Sequence, residues 1–309
     1  MSLSSIGIAA AERETGISKD VLRVWERRYG FPVPSRDANG ERMYPLEQIA
    51  KLRQIKRLMD LGHRPGKLIA MPDDAFRHAE SGKSADDASA RPPRSGDAGQ
   101  SEQESTLEEC LMLIKQHDTN AYMQRMQQNL ARYGLKQFVQ DIVAPLTQRV
   151  GAAWEAGVLE IFEEHLFTEL TNRMLRQTIS GLRRSPGAPR VLLTSLPGEP
   201  HAIGLLMVEA LLALEGADCI PLGSQTPMLQ ICQAAIAHEV DIVTLSFSAS
   251  YPRRQIPELL SQLREILPVN IALWVGGGGT VRVNPPPGVN LLTGFEECLR
   301  ALSDWRNSH

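Results

Sequence analysis

Apolar residues change their spacing several times along this chain, and each change marks a different kind of structure. From Arg190 onward they gather in short runs at 191–194, 219–222, 242–246, 271–275 and 289–292, separated by stretches of helical spacing. The first of those helices starts near His201, and the others span about 228–238, 256–266 and 296–305. Strands alternating with helices predict a five-stranded parallel sheet covered on both faces. Between 106 and 183 the spacing is helical throughout. Four helices are predicted over 107–116, 121–133, 135–153 and 160–182, with breaks at Gly134 and Gly157 and a kink at Pro145. Leu111, Ile114, Met123, Met126, Leu130, Phe138, Ile142, Val143, Leu146, Val150, Leu166, Leu170 and Leu175 then fill the core of a four-helix bundle.

The first 75 residues follow a third pattern. Gly16 breaks one helix, and Ser18 is placed to cap a second over about 19–28, which carries Arg23, Trp25, Arg27 and Arg28. Helix, glycine turn and basic helix form a helix-turn-helix pattern, in which Arg and Lys reach phosphates or guanine edges. Phe31-Pro32-Val33-Pro34 cannot be helical, and Asn39-Gly40 signals a hairpin, a small wing flanked by Arg36, Arg42 and Tyr44. Helix signals resume from Pro45 to Leu61, with Leu46, Ile49, Leu52, Ile55 and Leu58 on one face. From Pro72 to Ser105 the chain is polar, with Arg91-Pro92-Pro93-Arg94 and several Ser-Gly pairs. It is expected to be a flexible linker, without fixed structure from about Ser81 to Gln103. The expected domains are therefore a head at 1–75, a linker at 76–105, a helical domain at 106–185 and an α/β domain at 186–309.

Charge sharpens the division. Residues 1–71 hold 13 Lys and Arg against 8 Asp and Glu, and the net charge of the whole chain is −3, so a basic head precedes an acidic body. Only the head is expected to meet a polyanion. No apolar run approaches the ~18 residues of a membrane span, and the first residues lack the form of a secretory signal. The four scattered cysteines, Cys110, Cys219, Cys232 and Cys298, form no C-x-x-C and fit a reducing cytoplasm.

Candidate chemistry concentrates after the first strand, in Gly198-Glu199-Pro200-His201-Ala202-Ile203-Gly204. A histidine in a strand-to-helix loop is placed to bind a metal, and a carboxylate two residues earlier can hold its other ring nitrogen. Gly204 removes a side chain where a ligand could lie against the backbone. Taken alone, the loop is a weak signal, better described as a histidine hydrogen-bonded to its neighbours. The loops at 246–250 and at Gly276-Gly277-Gly278-Gly279 fall on the same sheet edge, where parallel α/β domains bind ligands. In the helical segment Trp154 and the pair Glu164-His165 stand out, although a Trp near a helix end is commonly core and a lone helical His commonly a surface residue.

Two stretches carry family resemblances. Leu22-Arg23-Val24-Trp25-Glu26-Arg27-Arg28-Tyr29-Gly30, followed by Pro34, Arg36, Gly40, Arg42 and Tyr44, resembles the winged helix-turn-helix of MerR-type regulators. That resemblance implies double-stranded promoter DNA as partner, bound by dimers through residues such as Lys19, Arg23, Arg27, Arg36, Arg42 and Tyr44. The long coiled coil common in that family is missing here. Glu199-x-His201-x-x-Gly204, Ser246-Phe247-Ser248 and Gly276-Gly277, in that order, resemble a Rossmann-like cobalamin-binding domain, and the helical segment resembles the bundle that caps it. Many relatives have Asp where this chain has Glu199; the longer carboxylate can still reach the imidazole.

The order of head, cap and cobalamin domain resembles the CarH/LitR group of light-responsive repressors, whose cap carries Trp, nine intervening residues and Glu-His, as do Trp154 and Glu164-His165. The resemblance implies adenosylcobalamin as cofactor, with His201 as lower cobalt ligand and the displaced nucleotide tail beside Ser246, Ser248, Gly276 and Gly277. It further implies that Trp154 and Glu164 contact the adenosyl group, that His165 becomes the upper cobalt ligand after light, and that a homo-oligomer, dimer or tetramer, binds DNA in the dark. Three alternatives differ from it. A regulator of the same fold could act without light, sensing cobalamin or a protein partner. A cobalamin-carrier subunit of an enzyme is opposed by the DNA-binding head and the lack of a segment for a catalytic barrel. A MerR-type metal or drug sensor is opposed by the unclustered cysteines and the missing dimerisation helix.

Overall fold

The computed structural model describes residues 5–60, 65–70, 97–182 and 188–308. They fall into two compact units, an N-terminal head and a larger body.

In the head, strand β1 (Ser5–Gly7) leads into helix α1 (Ile8–Thr15), which ends at Gly16 in the left-handed conformation. Ser18 caps α2 (Lys19–Tyr29) by accepting the Val21 N–H. Strands β2 (Ser35–Arg36) and β3 (Arg42–Pro45) form the expected wing, turning through Gly40 at φ 80°. β1 adds to β3 as a third antiparallel strand; three residues are too few to show a strand period in the sequence. Helices α3 (Leu46–Asp60) and α4 (Pro65–Ile69) complete the unit. Leu22, Trp25, Ile49, Leu52 and Ile55 form its core, whereas Leu46, the first residue of α3, stands exposed ahead of the buried stripe.

Tyr44 corrects one expectation. It is fully buried in this core, so it is no DNA contact. Residues 42 and 44 share one face of β3, and that face meets α2. Tyr44 Oη donates to Glu26 Oε1 at 2.6 Å, and Arg42 Nε donates to Glu26 Oε2 at 2.9 Å. Burial, reinforced by the bond to Glu26, pushes the Tyr44 hydroxyl pKa up. The wing is thereby tied to the basic helix by one carboxylate.

The body opens with α5 (Asp97–Lys115), which begins inside the stretch expected as linker. Polar residues there are held in helix by ion pairs to neighbouring helices, Glu102 with Arg132 and Glu104 with Arg149, a signal that apolar periodicity cannot carry. The rest of the expected linker lies outside the described residues. α6 (Thr119–Gln137) contains the expected break at Gly134, where φ is 73°. The expected kink at Pro145 takes the form of a π-helical turn, Phe138–Val143, before α7 (Ala144–Glu155). Pro145 has no N–H for the Asp141 carbonyl four residues back, and that oxygen accepts Gln103 Nε2 at 2.6 Å instead. α8 (Ile161–Ser180) starts with a reciprocal capping box between Glu160 and Glu163. All the apolar positions expected in the bundle core lie in it or pack against it.

The α/β part follows as β4 (Arg190–Thr194), α9 (Ile203–Leu214), β5 (Asp218–Gly223), α10 (Met228–Ala237), β6 (Ile242–Ser246), α11 (Ile256–Ile266), β7 (Ala272–Gly276), β8 (Val289–Leu292) and α12 (Phe295–Ser308). The five strands are parallel in the order β5-β4-β6-β7-β8. Strand alternation turns Val191, Leu193, Ile242 and Trp274 toward α9 and α12, and Leu192, Val243, Leu245, Leu273 and Val275 toward α10 and α11. The switch point lies between β4 and β6, because the chain leaves β4 toward β5 and returns to β6. Apart from Glu209, α9 carries no charged or polar side chain, as suits a helix buried on most sides. Leu205 and Leu212 face the sheet, while Ile203, Leu206, Met207, Ala210 and Leu211 enter the bundle core. Bundle and sheet therefore share one helix and form one unit.

Replacing Tyr44 by Phe removes the hydroxyl from a charged acceptor without changing the ring. We expect it to destabilise the head by about 1.5–3 kcal/mol, read as a lower urea midpoint of the head's transition in the full chain; an unchanged midpoint would show that the Glu26 bond contributes nothing.

Candidate functional site

The loop after β4 and the loop after β6 meet at the switch point, and Glu199 joins them. Its side chain is only 1% exposed. Oε1 lies 2.6 Å from His201 Nδ1 and accepts the His201 N–H at 3.1 Å, while Oε2 accepts the Ser248 N–H at 2.6 Å. Burial by itself pushes the Glu199 carboxyl up, but the bonds from His201 and the Ser248 N–H outweigh it and hold the group below its usual range. The hydrogen bond to Glu199 raises the His201 imidazole, burial opposes it, and the charges of Glu199 and Glu164 add to the rise. His201 keeps 53% of its side chain exposed. Among the described residues no group bonds its Nε2, so that nitrogen is available as a donor toward the open side.

Further bonds fix the loop. Ser195 Oγ donates to the Glu199 carbonyl at 2.6 Å and accepts the Gln225 N–H at 2.9 Å, which brings in the loop after β5. Tyr251 Oη donates to the Pro197 carbonyl at 3.4 Å, and its ring packs on Phe247 at 4.9 Å. Ser195 and Tyr251 escape the sequence reading because nothing in their local pattern separates them from ordinary loop residues.

The glycines act differently from expectation. A Cβ on Gly204 would stand 2.8 Å from Ser246 Oγ, so the space it leaves admits a neighbouring side chain, not a ligand against the backbone. Gly277, at φ 98°, would place a Cβ 2.3 Å from the Phe247 carbonyl, and one on Gly279 would lie 2.4 Å from the Ser248 carbonyl. The Phe247 N–H donates to Gly276 O at 3.0 Å, and the Gly279 N–H donates to Phe247 O at 2.9 Å. The glycine run lets two backbones pack together and so sets the Ser246–Ser248 loop. Gly276, at the end of β7, approaches the Leu292 carbonyl in the same way, its added Cβ standing at 3.1 Å.

On the cap, Trp154 ends α7 and packs against the bundle core. Glu164 and His165 occupy the first turn of α8. Glu164 Oε1 accepts Thr168 Oγ1 at 2.9 Å, and Oε2 lies 2.6 Å from His165 Nδ1. His165 is 72% exposed. The charge of Glu164 contributes to raising the His201 imidazole. Beside Glu164 and His165, His117 Nε2 lies 3.1 Å from Glu163 Oε1, a brace on the first turn of α8 that sequence spacing does not reveal. The site offers one imidazole on the sheet and one on the cap, and no three His, Cys, Asp or Glu converge among the described residues. This donor set suits a metal that arrives inside its own equatorial ring.

In the head, Arg23, Arg27 and Arg36 are exposed, and Lys19 and Arg42 are partly so. Arg23 pairs with Asp20 at 3.2 Å, Lys19 lies 3.5 Å from Glu12, and Arg36 Nη1 donates to the Gly40 carbonyl at 2.6 Å. These are surface pairs that a phosphate can replace at small cost.

Comparison with known proteins covers both units. The MerR HTH family regulatory protein model matches residues 7–71, and two models described as B12 binding domains match 106–178 and 189–285. The HTH-type transcriptional repressor CarH of Myxococcus xanthus is 30% identical over 275 residues, 87% of this chain and 88% of the relative. CarA, a repressor of the same type from the same organism, is 28% identical over 281 residues, 89% of this chain and 87% of its own length. The Methanosarcina barkeri monomethylamine corrinoid protein superposes on 65% of this chain and 99% of its own with a TM-score of 0.52 at 15% identity, a likeness of fold alone. No helix among the described residues is long and apolar enough to cross a membrane.

The shifts at Glu199 and His201 imply a pH window. The raised imidazole contributes stability that is full below its ordinary pKa and lost as pH rises through the raised value. The depressed carboxyl contributes above its ordinary pKa and loses that contribution as pH falls through the lowered value. Glu199→Gln keeps the shape but removes the charge. The His201 pKa, followed by NMR on the ligand-free protein, should fall relative to the wild type; an unmoved titration would remove Glu199 as its cause.

Proposed function

The chain belongs to the MerR-type transcriptional regulators that carry B12-binding domains, the family of the CarH and CarA repressors, and from that premise we propose that it is a light-responsive repressor, loaded with adenosylcobalamin in the dark. The observation that carries this reading is the His201 imidazole, bonded through Nδ1 to a buried carboxylate and open at Nε2, below a cap that bears a second exposed imidazole. Adenosylcobalamin supplies a cobalt–carbon bond that visible light breaks.

The chain's own residues divide the work. Glu199, against His201 Nδ1, would hold the ring with Nε2 directed to the cobalt and would favour the tautomer that ligates through Nε2. Ser246, Ser248 and the Gly276-Gly277 turn border the slot for the nucleotide tail. Trp154 and Glu164 would hold the adenosyl group when it is bound. His165, with Nδ1 on Glu164, would offer its Nε2 to the cobalt after illumination. The head binds promoter DNA through Lys19, Arg23, Arg27, Arg36 and Arg42. In the dark the loaded body assembles, as dimer or tetramer, and links several heads so that the second binds at high effective concentration. Light removes the ligand that favours the assembly, and repression ends.

Size-exclusion chromatography of the full chain with adenosylcobalamin, in the dark and after green light, tests the reading. The expected result is a larger species in the dark that dissociates on illumination; identical elution in both states would overturn it. His201→Ala should alter the visible spectrum of the dark complex, and His165→Ala only that of the illuminated one. Arg23→Ala should weaken specific operator binding by about 1–3 kcal/mol, measured by fluorescence anisotropy at fixed salt, and no change would remove Arg23 from the interface.

A further inference from the structure

α9 carries a single charged residue, Glu209, and that residue lines a cavity. The cavity has a volume of about 430 Å³, in the range of small-molecule sites. Leu193 of β4 and Pro221 of β5 form its floor, the stripe of Leu205, Glu209 and Ala213 on α9 forms one wall, and Ile179 near the end of α8 closes the other side. β5 is the edge strand, so no further strand fills the space. Its register slips beside the cavity, where Leu193 pairs with Pro221 but Thr194 with Gly223, and Leu222 bulges between them. The cavity runs from Ala202 along β5 to Asp218 at the start of that strand, and no residue of β6, β7 or the loops after them lines it.

Glu209 is 8% exposed, and its neighbours one turn before and after, Leu205 and Ala213, are aliphatic. A carboxylate set in an apolar wall attracts a positive charge strongly, because little water screens it. Arg176 also borders the cavity, but it stands exposed at the rim, where water weakens its field. The buried carboxylate therefore sets the sign of the charge accepted inside.

We propose that this cavity is a second ligand site of the body, for a small organic amine: the apolar part lies against β4, β5 and α9, and the protonated amine meets Glu209. A bound amine touches α8, α9 and β5 together, and so ties the bundle to the edge of the sheet. The site uses none of the residues assigned to cobalt, to the adenosyl group or to the nucleotide tail, and does not depend on corrinoid loading.

The test uses the full chain without corrinoid and three probes that share a ring and differ in the head: 2-phenylethylamine, 2-phenylethanol and phenylacetate. Affinities are read from ligand-observed NMR titrations. The amine should bind about tenfold more tightly than the alcohol, and phenylacetate should bind least. Glu209→Gln should remove the preference for the amine and leave the affinity for the alcohol unchanged. Ala213→Leu, which extends a side chain into the cavity, should weaken both. Equal affinities of the wild-type chain for amine and alcohol, a comparison that needs no variant, would overturn the inference, as would an amine affinity unchanged in Glu209→Gln. Cobalamin binding by Glu209→Gln should match the wild type; its loss would place Glu209 in the corrinoid site and end the case for a separate one.

Discussion

The buried carboxylate of Glu199 holds the strand-end loops in their arrangement. An ionised group in so dry a place is costly unless its oxygens are bonded, and here two backbone N–H groups and one imidazole nitrogen, from two loops, converge on it. The loops after β4 and β6 therefore cannot shift independently, because separating them would strand a charge away from water. The orientation of His201 follows from the same constraint, since Oε1 of that carboxylate meets both its backbone and its ring. Ser195 and Tyr251 extend the arrangement to the loop after β5 and to the Phe247 ring. The glycines at 277 and 279 belong to the same structure, because only they let the loop after β7 approach the Phe247–Ser248 backbone.

The second constraint is α9. A helix whose side chains are apolar but for Glu209 must be covered on both sides, and it is covered by the sheet below and by α6 and α8 above. The site therefore lies in a single packed body, with the His201 loop running directly into the helix that the cap grips. The bonds of Gln140 and Lys136 to Glu296 add a polar clasp between the bundle and α12.

Much of this architecture was legible in the sequence, and the reasons are specific. Buried parallel strands are continuous apolar runs, so β6 and β8 appear at their true limits, as does α11 with its clean amphipathic period. The Glu199–His201 contact was legible because two residues of separation in a loop bring a carboxylate to a ring nitrogen. Other features depend on contacts between distant residues. Tyr44 reads as a polar aromatic of the wing until the register of β3 turns it toward Glu26 on another element. Gly204 reads as space for a ligand until Ser246, forty-two positions later in the chain, is found in that space. The start of α5 rests on ion pairs to Arg132 and Arg149 and leaves no apolar period to detect. The hydroxyl of Thr244 looks like any strand threonine, and only its surroundings show that it has no partner.

The first turn of α8 has a mechanical consequence. Helix ends normally fray, and a side chain there can move by unwinding one turn. Here the reciprocal bonds of Glu160 and Glu163, with His117 bracing Glu163 from the α5–α6 connection, close that turn. Glu164 and His165 are thus mounted on the tip of a stiff rod whose far side is packed into the bundle. Because that turn is closed and the other side of α8 is packed into the bundle, Glu164 and His165 are less free to shift by local unwinding than side chains at an ordinary helix end.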